Sequence, residues 1–445
     1  MHTRIEPHTP QVRTVRIFAF ALALRAALAS VDARLTYLGG KMTAERQAER
    51  RQAIAYWCVN QILELGPTFI KLGQLLSARS DLLPVEFVRA LQTLQDRVPA
   101  FSPDLAVRTV EQELGGPLAA HFESFEREPL AAASLGQVHR ARLKNSGGAL
   151  VAVKVQRPGL KRLFEIDLAA LKKLATAADE AEEGRDWSGI AAECDKVLRA
   201  EIDYIQEGAN ADKFRRNFYN SDWLRVPEVY WSLSTRRVLV LEYLPGVSVS
   251  DIATLAAGGV DLPAVARLAT QAYLLQILRY GFFHGRGLAG ARFRGRSFFL
   301  SLPQRLPRHS SRLALLPLSC PASLPTLTPP RPAPSPAADP HGGNVAVELP
   351  ADGAAPLASS RPPRLIYYDF GMVGTIPPLT KQRLLSAFYA IAEQDVDVLL
   401  NTLLELGVLE IGPGGDRLAV KRAIAFFIAN LQTKLSDREV RVCVR

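Results

Sequence analysis

Acidic residues and lysine are both missing from Gly285 to Ala338, although that stretch holds eight arginines and ten prolines. Those arginines carry most of the chain's formal charge of +10, so the remainder is a nearly balanced surface of solvated helix faces. A nucleic-acid-binding reading would rest on net charge alone, and its location excludes that reading. Cysteine is scarce: Cys58, Cys194, Cys320 and Cys443 are far apart, with no spacing for a disulfide framework or a zinc site, and read as isolated reduced thiols. Long apolar runs are also lacking. Ile17 to Leu24 is apolar for only eight residues before Arg25, which is too short to cross a bilayer. With the following alanines it reads as a helix lying on a membrane or packed on another lobe. No secretory signal or transit peptide is evident.

What is present is globular. The apolar fraction of 48% over 445 residues allows two or three lobes with their own cores. Residues 1–60 read as helical, and 52–98 as a second helical region broken at Gly66-Pro67. A helix from Pro103 closes at Gly115-Gly116. The period then shortens: "AAASLGQVHRARL" and "ALVAVKVQ" are strand-like runs separated by a polar, glycine-containing turn, a hairpin by composition. Helices are expected from Leu160 to Glu182 and from Trp187 to about Phe218. A strand "RVLVLEYLPG" and a helix over Leu262–Tyr280 follow. No helix or strand can be drawn through "LPTLTPPRPAPSPAA". Strand-like runs resume in "DPHGGNVAV" and "RLIYYDFGMVG", and helices follow from Leu379 to Leu409 and from Leu418.

Five features stand in the order that a phosphoryl-transfer site of the kinase type needs. Ala131, Ala132, Ala133, Ser134 and Gly136 form a small-residue turn that lets the backbone close over phosphates, although an ordinary tight hairpin would look similar. Lys154 sits inside an apolar strand, where a buried ammonium needs phosphates and a carboxylate; a lysine snorkelling from an edge strand is the alternative. The carboxylate is expected on a following helix, at Glu201, with Asp203 nearby and Glu193 two turns earlier also open. Asp339 and Asn344 have the five-residue spacing of a kinase catalytic loop, in which the aspartate faces the acceptor hydroxyl and the asparagine holds a magnesium ion. Asp369, ahead of Phe370-Gly371, is placed to bridge magnesium and the phosphates. The backbone of Glu242 and Tyr243, at the end of a strand, could meet an adenine edge. Oxygen ligands throughout make Mg2+ the expected ion and ATP or ADP the expected nucleotide.

At this point the residues resemble the UbiB family of atypical kinases (activity-of-bc-one-complex kinases). "FIKLGQLLSARSDLLP" is similar to its most diagnostic segment, and "AAASLGQVHRA", "VAVKVQRPG", "EIDYIQEGAN", "GFFH", "DPHGGN" and "YDFGMVG" also match it. The resemblance implies an α+β, bilobal protein-kinase-like fold with a helical N-terminal extension. The implied layout is an N-terminal helical segment (1–50), an extension (51–120), a small lobe (121–246) and a large lobe (247–284 and 339–445) whose end looks truncated. It implies that Lys71, Gly73 and Gln74 regulate the site: Lys71 and Gln74 would fill the pocket where a protein kinase admits its peptide. Lys71 would pair with Glu201 and Asp203 or with phosphates. Ala131 to Ala133, in place of glycines, would shift nucleotide preference and hold back phosphorylation in trans. It further implies ATP-dependent chemistry tied to prenyl lipids such as isoprenoid quinones, or to lipid-biosynthetic proteins. The likeness is strongest to plastid and cyanobacterial members, so a plastoglobule or thylakoid location is implied. A scaffold that binds nucleotide and lipid without transferring phosphate is the alternative.

Two departures stand out. Gly342 replaces a usual proline, which changes loop stiffness but removes no ligand. The family also runs "GFFH" directly into "ADPH", whereas His284 and Ala338 are here separated by Gly285 to Ala337. A retained intron is the preferred reading, with a disordered insert in a working protein as the alternative. Gly285 can begin with a G followed by an intron-opening GT, Ala337-Ala338 can contain a closing AG, and excision restores "GFFHADPHGGN". A transcript that keeps the extra nucleotides across this junction would overturn the intron.

Overall fold

The computed structural model describes residues 9–32, 43–77, 83–95, 100–144, 146–181, 186–284, 344–348, 363–409, 411–412 and 415–436. Asp339 and the segment Gly285 to Ala338, singled out above, lie outside them.

The N-terminal extension is helical: α1 (Pro10–Asp32), α2 (Ala44–Leu65), α3 (Pro67–Leu76) and α4 (Val85–Gln92). Thr43 accepts a hydrogen bond from the Arg46 amide and so caps α2. Gly66, at φ +86°, turns the chain, and Pro67 starts α3 where its missing N–H costs nothing. Ala55, Val59, Ile62, Phe69, Phe87 and Leu91 form the core of this bundle.

Helix α1 corrects one expectation. It runs for 23 residues, and by length and composition Pro10–Val31 could cross a membrane, with a mean hydropathy of 1.7. The short count stopped at Arg25, but one charge does not end a helix that alanines continue on both sides. Its inner side is fixed by a buried ion pair. Arg13 donates from Nε and Nη2 to the two carboxylate oxygens of Asp167, 2.8 Å each, and Nη2 also donates to the Leu65 carbonyl at the end of α2. Such a two-pronged pair is the strong form of the contact, and it satisfies a helix-end carbonyl that has no intrahelical donor.

Helices α5 (Pro103–Leu114) and α6 (Leu118–His121) lead into the small-lobe strands β1 (Phe122–Phe125), β2 (Ala131–Ala132), β3 (Gly136–Leu143) and β4 (Leu150–Gln156). Three helices follow: α7 (Leu160–Ala181), α8 (Trp187–Glu201) and α9 (Tyr204–Asn217). The stretch expected to be one helix from Trp187 is thus two. Asp203 breaks it by accepting the Ile205 amide at 3.0 Å as the cap of α9. After β5 (Leu224–Arg225), β6 (Val238–Glu242) completes the upper sheet in the order β1-β3-β4-β6, with β2 also on β3. The expected hairpin is β3–β4, in register from Gly136↔Gln156 to Arg142↔Leu150. Alternation along β4 buries Val151, Val153 and Val155 against α5 and leaves Ala152 and Lys154 facing the cleft.

The large lobe contains β7 (Gly246–Ser248), α10 (Ile252–Ala257) and α11 (Leu262–Leu274), the last continued by a wider π-helical turn over Leu275–Tyr280. Then come β8 (Phe282–His284), β9 (Val345–Glu348), β10 (Leu365–Tyr367), β11 (Val373–Thr375), α12 (Pro378–Glu393), α13 (Val396–Glu405) and α14 (Arg417–Ser436). One sheet has the order β5-β10-β9-β7, and β8 pairs with β11. The expected continuous helix from Leu379 is broken at Gln394 (φ +63°) and Asp395, which caps α13. These elements make a kinase-like α+β fold with a helical N-terminal region.

Removing one member of the Arg13–Asp167 pair strands a buried charge. Asp167→Ala is expected to lower the unfolding free energy by about 3–5 kcal/mol in urea titrations, and the double change Arg13→Met/Asp167→Leu to recover most of it. Equal losses in the single and double variants would contradict this account of α1.

Candidate functional site

The cleft is organised by an ammonium held between two carboxylates. Lys154 Nζ donates to Glu207 Oε1 and Oε2 at 2.6 and 2.8 Å, and Asp369 Oδ1 lies 3.6 Å away. The carboxylate that meets Lys154 is therefore Glu207, not Glu201. The reason is the break at Asp203: Glu201 ends α8, whereas Glu207 lies on the inner face of α9 with Tyr204, Ala211 and Phe214. That face follows the i, i+3, i+7 pattern, and Glu207 is the acid on it, a signal the sequence carried.

Burial works against the Lys154 charge, but Asp369 and Glu207 outweigh it and raise its pKa. Burial pushes the Glu207 carboxyl up to about 7 against the pull of Lys154, and the neighbouring Asp369 adds to the rise. Two acids face one ammonium here, and a cation beside them would favour the charged form of both.

Asp369 is held by its neighbours. Gly371 donates its amide to Oδ1 at 3.0 Å, and His284 Nε2–H donates to the Asp369 carbonyl. The His284 amide in turn donates to Gln276 Oε1 at 2.8 Å. Phe370 is buried under α9, 5.2 Å between ring centroids from Phe214, and Asn210 Nδ2 donates to its carbonyl at 3.1 Å. The Asp-Phe-Gly segment is thus anchored to the helix that carries Glu207. Asn344 lies at the mouth of the β9–β10 ladder, where its carbonyl accepts the Tyr368 amide at 3.0 Å. The backbone of Asn344 is thus paired with that of Tyr368, the neighbour of Asp369. His284, Asn210 and Tyr204 were not among the expected site residues, although each lies in a motif noted for resemblance.

The small-residue turn is closed by the Ala133 amide donating to the Gly136 carbonyl at 2.8 Å. A Cβ on Gly136 would lie 2.5 Å from both Tyr204 Oη and the Val155 carbonyl, so only glycine fits. Ser134 is buried, and Leu135 at the tip enters an apolar socket of Leu160, Phe164, Leu168 and Leu198, with Leu75 of α3 against it. The turn is docked onto α7 and α8, and the extension touches the same socket through Leu75.

Lys71 is buried in an ion pair with Glu201. A Cβ on Gly73 would fall 2.5 Å from Leu94 Cδ1, and Gln74 Nε2 donates to the Leu94 carbonyl at 2.9 Å. These two residues hold α3 close to the segment after α4. Asp203 caps α9 and lies 3.9 Å from Arg236. At Glu242 and Tyr243 the expected backbone contact with adenine is narrowed to the carbonyls: their amides donate to the carbonyls of Glu228 and Leu150, because β6 and its flanking segments use both. Neither amide is left to donate to an adenine edge. The Glu242 carboxylate accepts from Arg225 at 2.7 Å.

Comparisons with known proteins bear on the fold and the family. The ABC1 atypical kinase-like domain matches residues 93–286 and 337–403, on either side of the arginine- and proline-rich segment. The chain is 41% identical over 98% of its length to the chloroplastic protein Activity of BC1 Complex Kinase 7 of Arabidopsis thaliana, covering 53% of that protein. It is 40% identical to an uncharacterized protein of Synechocystis sp., over 95% of this chain and 61% of that one. The chloroplastic Activity of BC1 Complex Kinase 8 of Arabidopsis thaliana is 39% identical over 97% of this chain and 48% of that one. The chain thus spans between about half and three fifths of these relatives. Among solved structures, the Rv3197–erythromycin complex from Mycobacterium tuberculosis matches with a TM-score of 0.50 and 23% identity, covering 90% of this chain and 87% of that one, a likeness of fold.

The partner of Lys154 can be checked by double-mutant cycles in urea. Lys154→Met with Glu207→Gln should show a coupling of about 1–3 kcal/mol, and Lys154→Met with Glu201→Gln a coupling within about 0.5 kcal/mol of zero. The reverse pattern would return the role to Glu201.

Proposed function

Because the chain belongs to the ABC1 atypical kinase-like family, we propose that it binds ATP with magnesium in the cleft between its lobes and acts as an atypical kinase or ATPase. The observation that carries this reading is the convergence of Lys154, Glu207 and Asp369 from three distant parts of the sequence within 3.6 Å of one ammonium.

The residues fit the ligands. The partly exposed Asp369 carboxylate suits a divalent cation, and oxygen donors from Asn344 and Asp369 would suit magnesium, which would take its remaining ligands from phosphate and water. Bound there, magnesium supplies charge neutralisation of the phosphates. Lys154 would hold phosphate oxygens, with Glu207 fixing its direction, while the Ala131–Gly136 turn covers the phosphates with backbone. Asp339 would face the acceptor hydroxyl. The extension, joined to the site through Lys71–Glu201 and the Leu135 socket, would restrict access of large acceptors and favour small or lipid ones.

Chloroplastic and Synechocystis relatives support a plastid setting, and within it we place the protein with prenyl-lipid metabolism, at plastoglobule or thylakoid, with prenyl lipids or lipid-biosynthetic proteins as partners. The exposed side of α1, with Val15, Phe18 and Leu22, offers apolar surface for contact with a membrane.

One observation keeps the scaffold alternative in view. His284 ends at the Asp369 carbonyl, and Asn344 begins again at the Tyr368 amide, so the chain leaves and re-enters the site at adjacent residues. A short loop could join those points, which supports reading Gly285 to Ala337 as a retained intron. In the chain as written, the loop that carries Asp339 is tethered through a much longer connection. Closing it costs little free energy, but a misplacement of about 1 Å is enough to cost roughly 100-fold in rate.

The expected outcome is that the written chain binds Mg-ATP but hydrolyses it at least about 100-fold more slowly than a chain lacking 285–337. Asp369→Asn should abolish hydrolysis in the shorter chain. Equal rates in the two chains would defeat the role given to the inserted segment, and hydrolysis that survives Asp369→Asn would defeat the nucleotide site.

A further inference from the structure

Tyr204 stands at the first position of α9 with 1% of its surface exposed, yet among the described residues its hydroxyl has no hydrogen-bond partner. Buried hydroxyls in folded proteins are almost always paired, because an unpaired one loses its water without replacement. Nearby positions show that the ring alone did not require a tyrosine: Phe214 and Phe370 fill the core beneath the same helix.

The hydroxyl lies inside the site. It abuts Gly136, where the small-residue turn enters β3, since a Cβ there would be 2.5 Å away. The ring is 5.1 Å from Lys154 Nζ, measured to its centroid. Glu207, Asp369 and Glu201 also act on it electrostatically. A carboxylate in reach would have satisfied the hydroxyl, and none does. Burial raises its pKa, so the group stays a neutral donor. A donor without an acceptor, placed between the ammonium and the turn that covers the cleft, fits an anion that comes with the ligand.

We propose that the Tyr204 hydroxyl is a phosphate-binding group, donating a hydrogen bond to a phosphate oxygen of the bound nucleotide. This rests on the nucleotide reading above and extends it to a residue outside the lysine, asparagine and aspartate set. It also gives the site a link to the extension, because the charge of Glu201, the partner of Lys71, acts on the same hydroxyl.

The test is Tyr204→Phe in the full chain, which keeps the ring and removes one oxygen. Affinities for Mg-ATP, Mg-ADP and adenosine would be measured by equilibrium titration, with melting temperatures taken with and without each ligand. The expected result is about tenfold weaker binding of Mg-ATP and Mg-ADP, about 1.4 kcal/mol, with a smaller ligand-induced rise in melting temperature. Adenosine binding should be unchanged, and the ligand-free protein should melt at the same temperature or higher. Unchanged affinity for all three ligands would overturn the proposal, as would an equal loss for adenosine. A lower melting temperature without ligand would also overturn it, by showing a structural partner for the hydroxyl. Wild-type binding of Mg-ATP that Asp369→Asn weakens keeps the nucleotide reading standing whatever Tyr204→Phe does; a wild-type chain that binds no Mg-ATP removes both.

Discussion

An ammonium buried with two carboxylates is costly unless every element around it is held in place, and most of the described architecture can be read as meeting that condition. Lys154 is aimed by strand alternation on β4, Glu207 by the inner face of α9, and Asp369 by the chain that follows β10. Each carboxylate is then fixed by something else. The Phe370 ring lies under α9, Asn210 holds the Phe370 carbonyl, and His284 holds the Asp369 carbonyl. Shifting one of these elements would leave a charge without its partner in a poorly hydrated place, where the penalty is several times that of a surface pair.

The helical extension is tied to this centre by contacts of different kinds. Lys71–Glu201 and Arg13–Asp167 are buried ion pairs, which fix orientation more than they add stability. Leu135 in its socket is an apolar contact that places the tip of the turn on α7 and α8. In many nucleotide-binding folds the phosphate-covering turn is free to lift. Here its tip packs into a core of α7 and α8 that α3 of the extension also touches, so movement of α7 would be felt at the turn. The arrangement accounts for alanines in a turn where glycines would give more freedom, because docking at Leu135 already fixes the backbone path.

Much of this was legible in the residues. The hairpin, the alternation on β4, the Gly66-Pro67 joint and the capping residues all act over a few neighbours, and local sequence reports such effects directly. Lys154 and Asp369 were identifiable because a charged residue in an apolar strand, or ahead of Phe-Gly, is unusual enough to demand an explanation. The pairing partner was not identifiable in the same way. Glu193, Glu201 and Glu207 all lie within one charged helical stretch, and choosing among them required knowing that the helix restarts after Asp203. That the amides of Glu242 and Tyr243 are engaged was hidden for a similar reason: whether a strand end is free depends on what pairs with it.

Side-chain chemistry, turn positions and the period of each element are properties of short segments, so they could be read before any coordinates. Partnership is a property of space. The pairing of Lys71 with Glu201, the hold of Arg13 on Asp167, the socket around Leu135 and the Tyr204 hydroxyl, unpaired among the described residues, each depend on residues far apart in the chain. Their energies depend on separations of a few ångströms and on exclusion of water, and both arise only once the lobes and the extension have packed together.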